Sequence, residues 1–149
     1  MLTIIILSIA GAILSAVIGT IWYSNSTPMG RIHMQYLGFD KLSDEEKKMK
    51  MKEAMPMMPK IYGLQFLLSL LTSFAVVFII IMSLRNGVIP KYAYGFITLN
   101  WLCFMVPIIG SGILWGNCDR KIALKKFISD ILCNLVTVLL IAFLASFFI

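Results

Sequence analysis

Four runs of about twenty apolar residues, separated by segments that hold nearly all the charge, leave this chain few ways to fold. They extend from Leu2 to Tyr23, from about Ile61 to Leu84, from about Tyr92 to Trp115 and from about Phe127 to Ile149. A helix needs ~20 such residues to cross the hydrocarbon core of a bilayer. In lipid the backbone polar groups must be satisfied within the segment, so each run is expected to be a helix. Hydrophobic residues make up 60% of the chain and charged residues 13%. Soluble domains carry roughly 45–50% and 25%, so lipid has to cover this apolar surface. The expected fold is all-α: residues 1–149 as one transmembrane domain, an integral membrane bundle of four transmembrane helices. The first run is longer than a signal-peptide core and lacks both a basic leader and a clean small-residue cleavage site. It is read as a retained span.

The loops give an orientation. Arg31, Lys41, Lys47, Lys48, Lys50, Lys52 and Lys60 fall in the first loop, and Arg120, Lys121, Lys125 and Lys126 in the third. The second loop has only Arg85 and Lys91. Because Lys and Arg are retained on the cytoplasmic side, loops 24–60 and 116–126 are expected to be cytoplasmic and both termini outside, in a plasma membrane. Trp22, Tyr23 and Trp115 then sit at the inner boundary and Tyr92 and Tyr94 at the outer one, as an aromatic belt. A net charge of +6 fits contact with anionic lipid head groups. Nucleic-acid binding would need a basic folded module with exposed aromatics, which the sequence lacks.

The first loop carries its own helix signal. Ser43-Asp44-Glu45-Glu46 reads as a capping box, and Met51, Met55 and Met58 recur at helical spacing among lysines. A short amphipathic helix on the cytoplasmic surface is expected over 43–58, ended by Pro56 and Pro59. Pro107 removes a donor from the third span and predicts a kink near Cys103. Asp119 is a candidate cap for an early start of the fourth helix, with Lys121, Lys125 and Lys126 snorkelling to the head groups.

Small residues mark candidate packing faces. Gly11, Ser15 and Gly19 are spaced four apart, as are Gly112 and Gly116. This spacing lets helices approach closely, either within the bundle or between two copies. Polar residues in the spans fall into stripes: Gln65, Ser69 and Thr72 in the second, Asp130, Asn134 and Thr137 in the fourth, with Asn100 and Ser111 in the third. Gln65, Ser69, Asn100, Ser111, Asp130 and Asn134 are taken as candidates for one polar cavity open to the cytoplasm. The competing reading is ordinary interhelical hydrogen bonding. Asp130 is the one acidic residue in a span and so a functional candidate by default, although Lys126 one turn earlier is placed to pair with it.

Catalytic groups are scarce. There is one histidine, His33, no CxxC pair, no Ser/His/Asp or Cys/His set and no phosphate-binding glycine loop,. Cys103, Cys118 and Cys133 are scattered, so neither a disulfide framework nor a zinc site is implied. The loop methionines are soft enough for Cu(I), but a lipid-facing stripe accounts for them. No enzyme activity, cofactor or metal is expected. Two roles stay open: small-solute or ion binding or permeation through the polar cavity, and an accessory subunit that binds a membrane partner or a second copy through the Gly11/Ser15/Gly19 face.

Short motifs resemble one family. Gly19-x-x-Trp22-Tyr23-Ser24 is similar to a G-x-x-W-Y-S signature of the DUF1761 family of small membrane proteins. Met29-Gly30-Arg31, Leu37-Gly38-Phe39 and Leu42-Ser43-Asp44-Glu45 resemble its first loop, with Met29 and His33 where Phe and Trp are usual. Trp101-x-x-Phe104-x-x-Pro107, followed by Leu114-Trp115, resembles its third span, with Cys103 in place of a glycine. The resemblance implies a four-helix membrane protein without an established activity. It adds Trp22, Tyr23, Ser24, Trp101 and Pro107 as candidate site residues, or else as interfacial anchors and a helix kink.

Overall fold

The structure is a computed structural model that describes residues 1–116 and 118–148. Its helices are α1 (Leu2–Trp22), α2 (Pro28–Tyr36), α3 (Asp44–Ala54), α4 (Met58–Arg85), α5 (Pro90–Asn100), α6 (Val106–Leu114) and α7 (Arg120–Ser146). A 3-10 turn, Phe39–Lys41, lies between α2 and α3, and a π turn, Trp101–Met105, joins α5 to α6. Four helical stretches are long and apolar enough to cross a membrane: Leu2–Trp22, Met58–Arg85, Pro90–Ile113 and Arg120–Ser146. The bundle is all-α, as the apolar runs require. The expected fourth-span terminus at residue 149 and loop position 117 lie outside the described residues.

The ends of the helices follow local chemistry. Both halves of the Ser43/Glu46 capping box form, with Ser43 N donating to Glu46 at 2.8 Å and Glu46 N donating to Ser43 Oγ at 3.3 Å. Helix α3 stops at Ala54, earlier than the expected 58. Pro56 and Pro59 intervene, and Met58 opens α4 instead. Met51 and Met55 remain exposed. Asp119 caps α7 by accepting from Lys121 N at 2.8 Å and Ile122 N at 3.4 Å. That helix therefore begins seven residues before the apolar run at Phe127. The turn from α4 to α5 is a Schellman motif: Val88 N donates to Ser83 O and Gly87 N to Leu84 O, both at 3.0 Å. Gly87 adopts φ 76° there, which costs glycine nothing.

Pro107 acts through a change of helical pitch. Lacking an N–H, it cannot bond to the Cys103 carbonyl. The preceding turn widens so that the Val106 N–H reaches Trp101 O, five residues back, and the extra residue is absorbed as a π turn.

The core lies between α1, α4 and α7. Ile4, Leu7, Val76, Val77, Ile80, Ile81, Val138, Ile141, Ala142 and Ala145 are buried there, and Ala93, Ile97 and Trp101 join them from the third span. Small side chains let the rods close up. A Cβ at Gly11 would fall on Ser73 Oγ and lie 3.1 Å from Ile141. One turn on, Ser15 Oγ donates to Ser69 Oγ at 3.3 Å. Gly11 and Ser15 are thus used within the chain. Gly19, third in the expected stripe, has open space around it.

Candidate functional site

The site is built where α1 ends. Tyr23 caps α1, and the chain then turns sharply. Thr27 Oγ1 donates to the carbonyls of Trp22 (2.7 Å) and Ser24 (2.8 Å) and accepts from Gly30 N at 2.9 Å. Thr27 is therefore the N-cap of α2, and Pro28 takes the first helical position, where its missing N–H costs nothing. Gly30 is buried against the backbone of Tyr23 and Ser24. A Cβ there would fall on the Ser24 carbonyl and lie 2.9 Å from Tyr23 O. This contact folds α2 back over the first turns of α7.

The two segments cover an ion pair. Lys126 bonds both carboxylate oxygens of Asp130, one turn along α7. The lysine side chain is 8% exposed and the aspartate 19%. Tyr23 Oη donates to Asp130 Oδ1 at 2.7 Å, and Trp22 Nε1 donates to Ser129 Oγ at 3.1 Å. The Lys126 ammonium lies 4.9 Å from the centroid of the Tyr23 ring and 5.9 Å from that of Tyr36, both within cation–π range. His33 leans on the Tyr23 ring, with centroids 5.0 Å apart. Two buried acceptors at this place, His33 Nδ1 and Asn134 Oδ1, have no partner among the described residues.

Lys126 corrects the snorkelling expectation. Lys121 and Lys125 are exposed, but Lys126 is buried. The carboxylate that attracts it lies one turn deeper, and the tyrosines that cover it come from the far end of α1 and from α2.

Burial, more than charge, sets the behaviour of His33, which lies outside the spans. Burial lowers the His33 pKa below its usual 6.5, the Lys126 cation lowers it further, and Asp130 opposes them. The native state therefore keeps His33 neutral at a pH where the unfolded chain takes up a proton. Stability from this residue is complete above the unfolded value of about 6.5 and is lost as pH falls toward the lower native value. Thermal unfolding at about pH 8 and about pH 5.5 should show a fall in melting temperature for the wild type, and a smaller one for His33→Gln. Equal pH sensitivity in the two would contradict this account.

The sequence candidates are dispersed. Trp22, Tyr23 and Asp130 meet in the cluster, and Asn134 lies one turn farther along α7. Ser24 sits in the turn, its hydroxyl 2.8 Å from that of Ser26. Ser69 pairs with Ser15, away from the ion pair, and Gln65 is exposed. Asn100 Nδ2 donates to Phe96 O and Ser111 Oγ to Ile108 O, both at 2.9 Å within their own helices. The buried side of α4 follows Ser69, Ser73, Val76 and Ile80; Gln65 shares that face, one turn before Ser69, but residues 61–68 are all exposed, so it lies ahead of the packed part of the helix. Trp101 is in the core, with Nε1 unpartnered among the described residues. Pro107 is exposed after the π turn. The six polar candidates are therefore not gathered around one space, and none lines the 540 Å³ groove between α6 and α7. Lys126, Ser129, His33 and Tyr36 complete the cluster; of these the sequence points to Lys126, as the partner of Asp130 one turn on. Thr27-Pro28, a cap followed by a first-turn proline, was the available signal for α2 and hence for His33 and Tyr36.

Residues 6–144 match the model of a family described as "Protein of unknown function (DUF1761)". No curated protein and no solved structure matches the chain.

Proposed function

The chain belongs to the DUF1761 family, whose description assigns no activity, and from that premise we propose that it binds a small solute or ion at the Tyr23–Lys126–Asp130 cluster, reached from the cytoplasm. The carrying observation is the ion pair enclosed at one end of a membrane-compatible helix, with the buried Asn134 acceptor unpaired among the described residues one turn away. Ionisable groups inside membrane spans are costly and are kept chiefly for such roles. The predominance of Lys and Arg in the first and third loops supports a cytoplasmic position for this end,.

Binding fits better than conduction. From Val138 onward the buried face of α7 is apolar, with Ile141, Ala142 and Ala145 packed against Ile4, Leu7, Val77, Ile80 and Ile81. A polar half followed by a dry half supports entry from one side. The reading is not catalytic: the cluster offers an acid, a base and a phenol already committed to one another.

Thiol labelling tests it. In a chain with Cys103, Cys118 and Cys133 changed to Ser, Asn134→Cys should react with a membrane-impermeant thiol reagent applied from the cytoplasmic side only. Protection from both sides, or reaction from the outside, would count against the proposal.

One observation favours an accessory role as a second reading. The third span buries 6% of its apolar window inside the chain, against 28–33% for the other three. Such a peripheral rod is free to contact a partner or a second copy. Cross-linking from Leu99→Cys, an exposed position on that span, should then capture a defined complex rather than none.

A further inference from the structure

At the same end of the bundle, α6 and the start of α7 diverge and leave a groove of about 540 Å³. That volume falls within the ~300–1,000 Å³ that small-molecule sites occupy. Its walls include Gly110, Ile113, Ala123, Leu124 and Phe127, with Gly116 and Cys118 at the loop, and Arg120 is the one charged residue among the described lining residues. Arg120, Ala123, Leu124 and Phe127 are spaced i, i+3, i+4, i+7 and so form one face of α7. Two features suit an amphiphile. Glycine at 110 brings the Phe127 ring against bare backbone, where a Cβ would lie 3.3 Å from it, so the floor is smooth and apolar. The cation stands at the first turn of α7, at the end of the apolar strip.

We propose that this groove holds one anionic phospholipid, with the phosphodiester on the Arg120 guanidinium and an acyl chain along Ala123, Leu124 and Phe127. Charge complementarity selects the occupant. Residues 118–126 carry Arg120, Lys121, Lys125 and Lys126 against a single carboxylate, Asp119. That carboxylate already accepts from two N–H groups of α7, and the Lys126 charge is met by Asp130. Arg120, Lys121 and Lys125 are exposed and available to an anion. A guanidinium recognises phosphate through paired hydrogen bonds, which a zwitterionic head group offsets with its own cation.

The test uses the full chain in detergent, titrated with dioleoyl phosphatidylglycerol, dioleoyl phosphatidylcholine or glycerol 3-phosphate, with bound lipid counted by native mass spectrometry. Retention of one phosphatidylglycerol at least tenfold tighter than phosphatidylcholine is expected, with no effect of glycerol 3-phosphate. Arg120→Gln, an exposed change, should abolish the preference. Ala123→Phe should weaken retention of either lipid by filling the groove. Lys41→Gln, in the other basic loop, should leave retention unchanged. An equal preference in Arg120→Gln, or equal competition by glycerol 3-phosphate, would overturn the proposal.

Discussion

Asp130→Ala lowers the stability of the protein by about 3–5 kcal/mol, the range for removing one partner of a buried ion pair. The loss is this large because Lys126 is left covered without its carboxylate, against the faces of Tyr23 and Tyr36. Lys126→Ala costs less. Asp130 then keeps the hydrogen bond donated by the Tyr23 hydroxyl, 2.7 Å long in the intact protein. Replacing both residues together, Lys126→Met with Asp130→Leu, recovers most of the loss, since a dry apolar pair of similar volume carries no desolvation cost. Unfolding in mixed detergent micelles measures all three. A change below about 1 kcal/mol for Asp130→Ala, the value of an exposed ion pair, would mean that the pair is far wetter than its 8% and 19% exposures indicate.

Gly30→Ala is the second large effect. Inside a helix, alanine is favoured over glycine by about 0.8–1 kcal/mol, so propensity alone predicts a gain. The steric term has the opposite sign and wins. The new methyl meets the Ser24 carbonyl and, at 2.9 Å, the Tyr23 carbonyl, which are backbone atoms of a turn already fixed by the Thr27 hydroxyl, which donates to Trp22 O and Ser24 O and accepts from Gly30 N. Overpacking of this kind costs about 1–3 kcal/mol, and here it also lifts α2 from α7. Faster protease cleavage in residues 37–43 and loss of the Tyr23–His33 contact should accompany the lower stability. Gly63→Ala is the control: a Cβ at Gly63 has nothing within 4 Å, so the propensity gain should appear unopposed. Equal behaviour of the two variants would remove Gly30 from this account.

What the sequence made legible is what lipid and local chemistry dictate. Four apolar runs had to be helices, and Ser43, Asp119 and Gly11 act through neighbours one turn away or through a single close approach. Which face of a span turns inward was harder to read. In a soluble helix the polar side faces water, but the exposed side of α4 is mostly apolar as well. Its inward side is set by Ser69 and Ser73 meeting Ser15 and Gly11 of α1, not by the Gln65-Ser69-Thr72 pattern. The cluster was half legible for a related reason. Lys126 and Asp130 are one turn apart and pair visibly in the sequence. Tyr23, His33 and Tyr36 reach them only because a threonine cap and a glycine fold a loop back across ninety or more positions of chain.

The π turn at Trp101–Met105 divides the third span into two phases. An extra residue in a helix offsets everything on one side by about 100°, so α5 and α6 aim their side chains independently. Tyr94 can bond Ser146 at 3.1 Å while Gly110 sits on Phe127 at the opposite end. A chain shortened by one residue between 102 and 104 would straighten the rod and satisfy only one of those contacts at a time. The bulge is thus a phase shifter that lets a single transmembrane rod grip α7 at both ends.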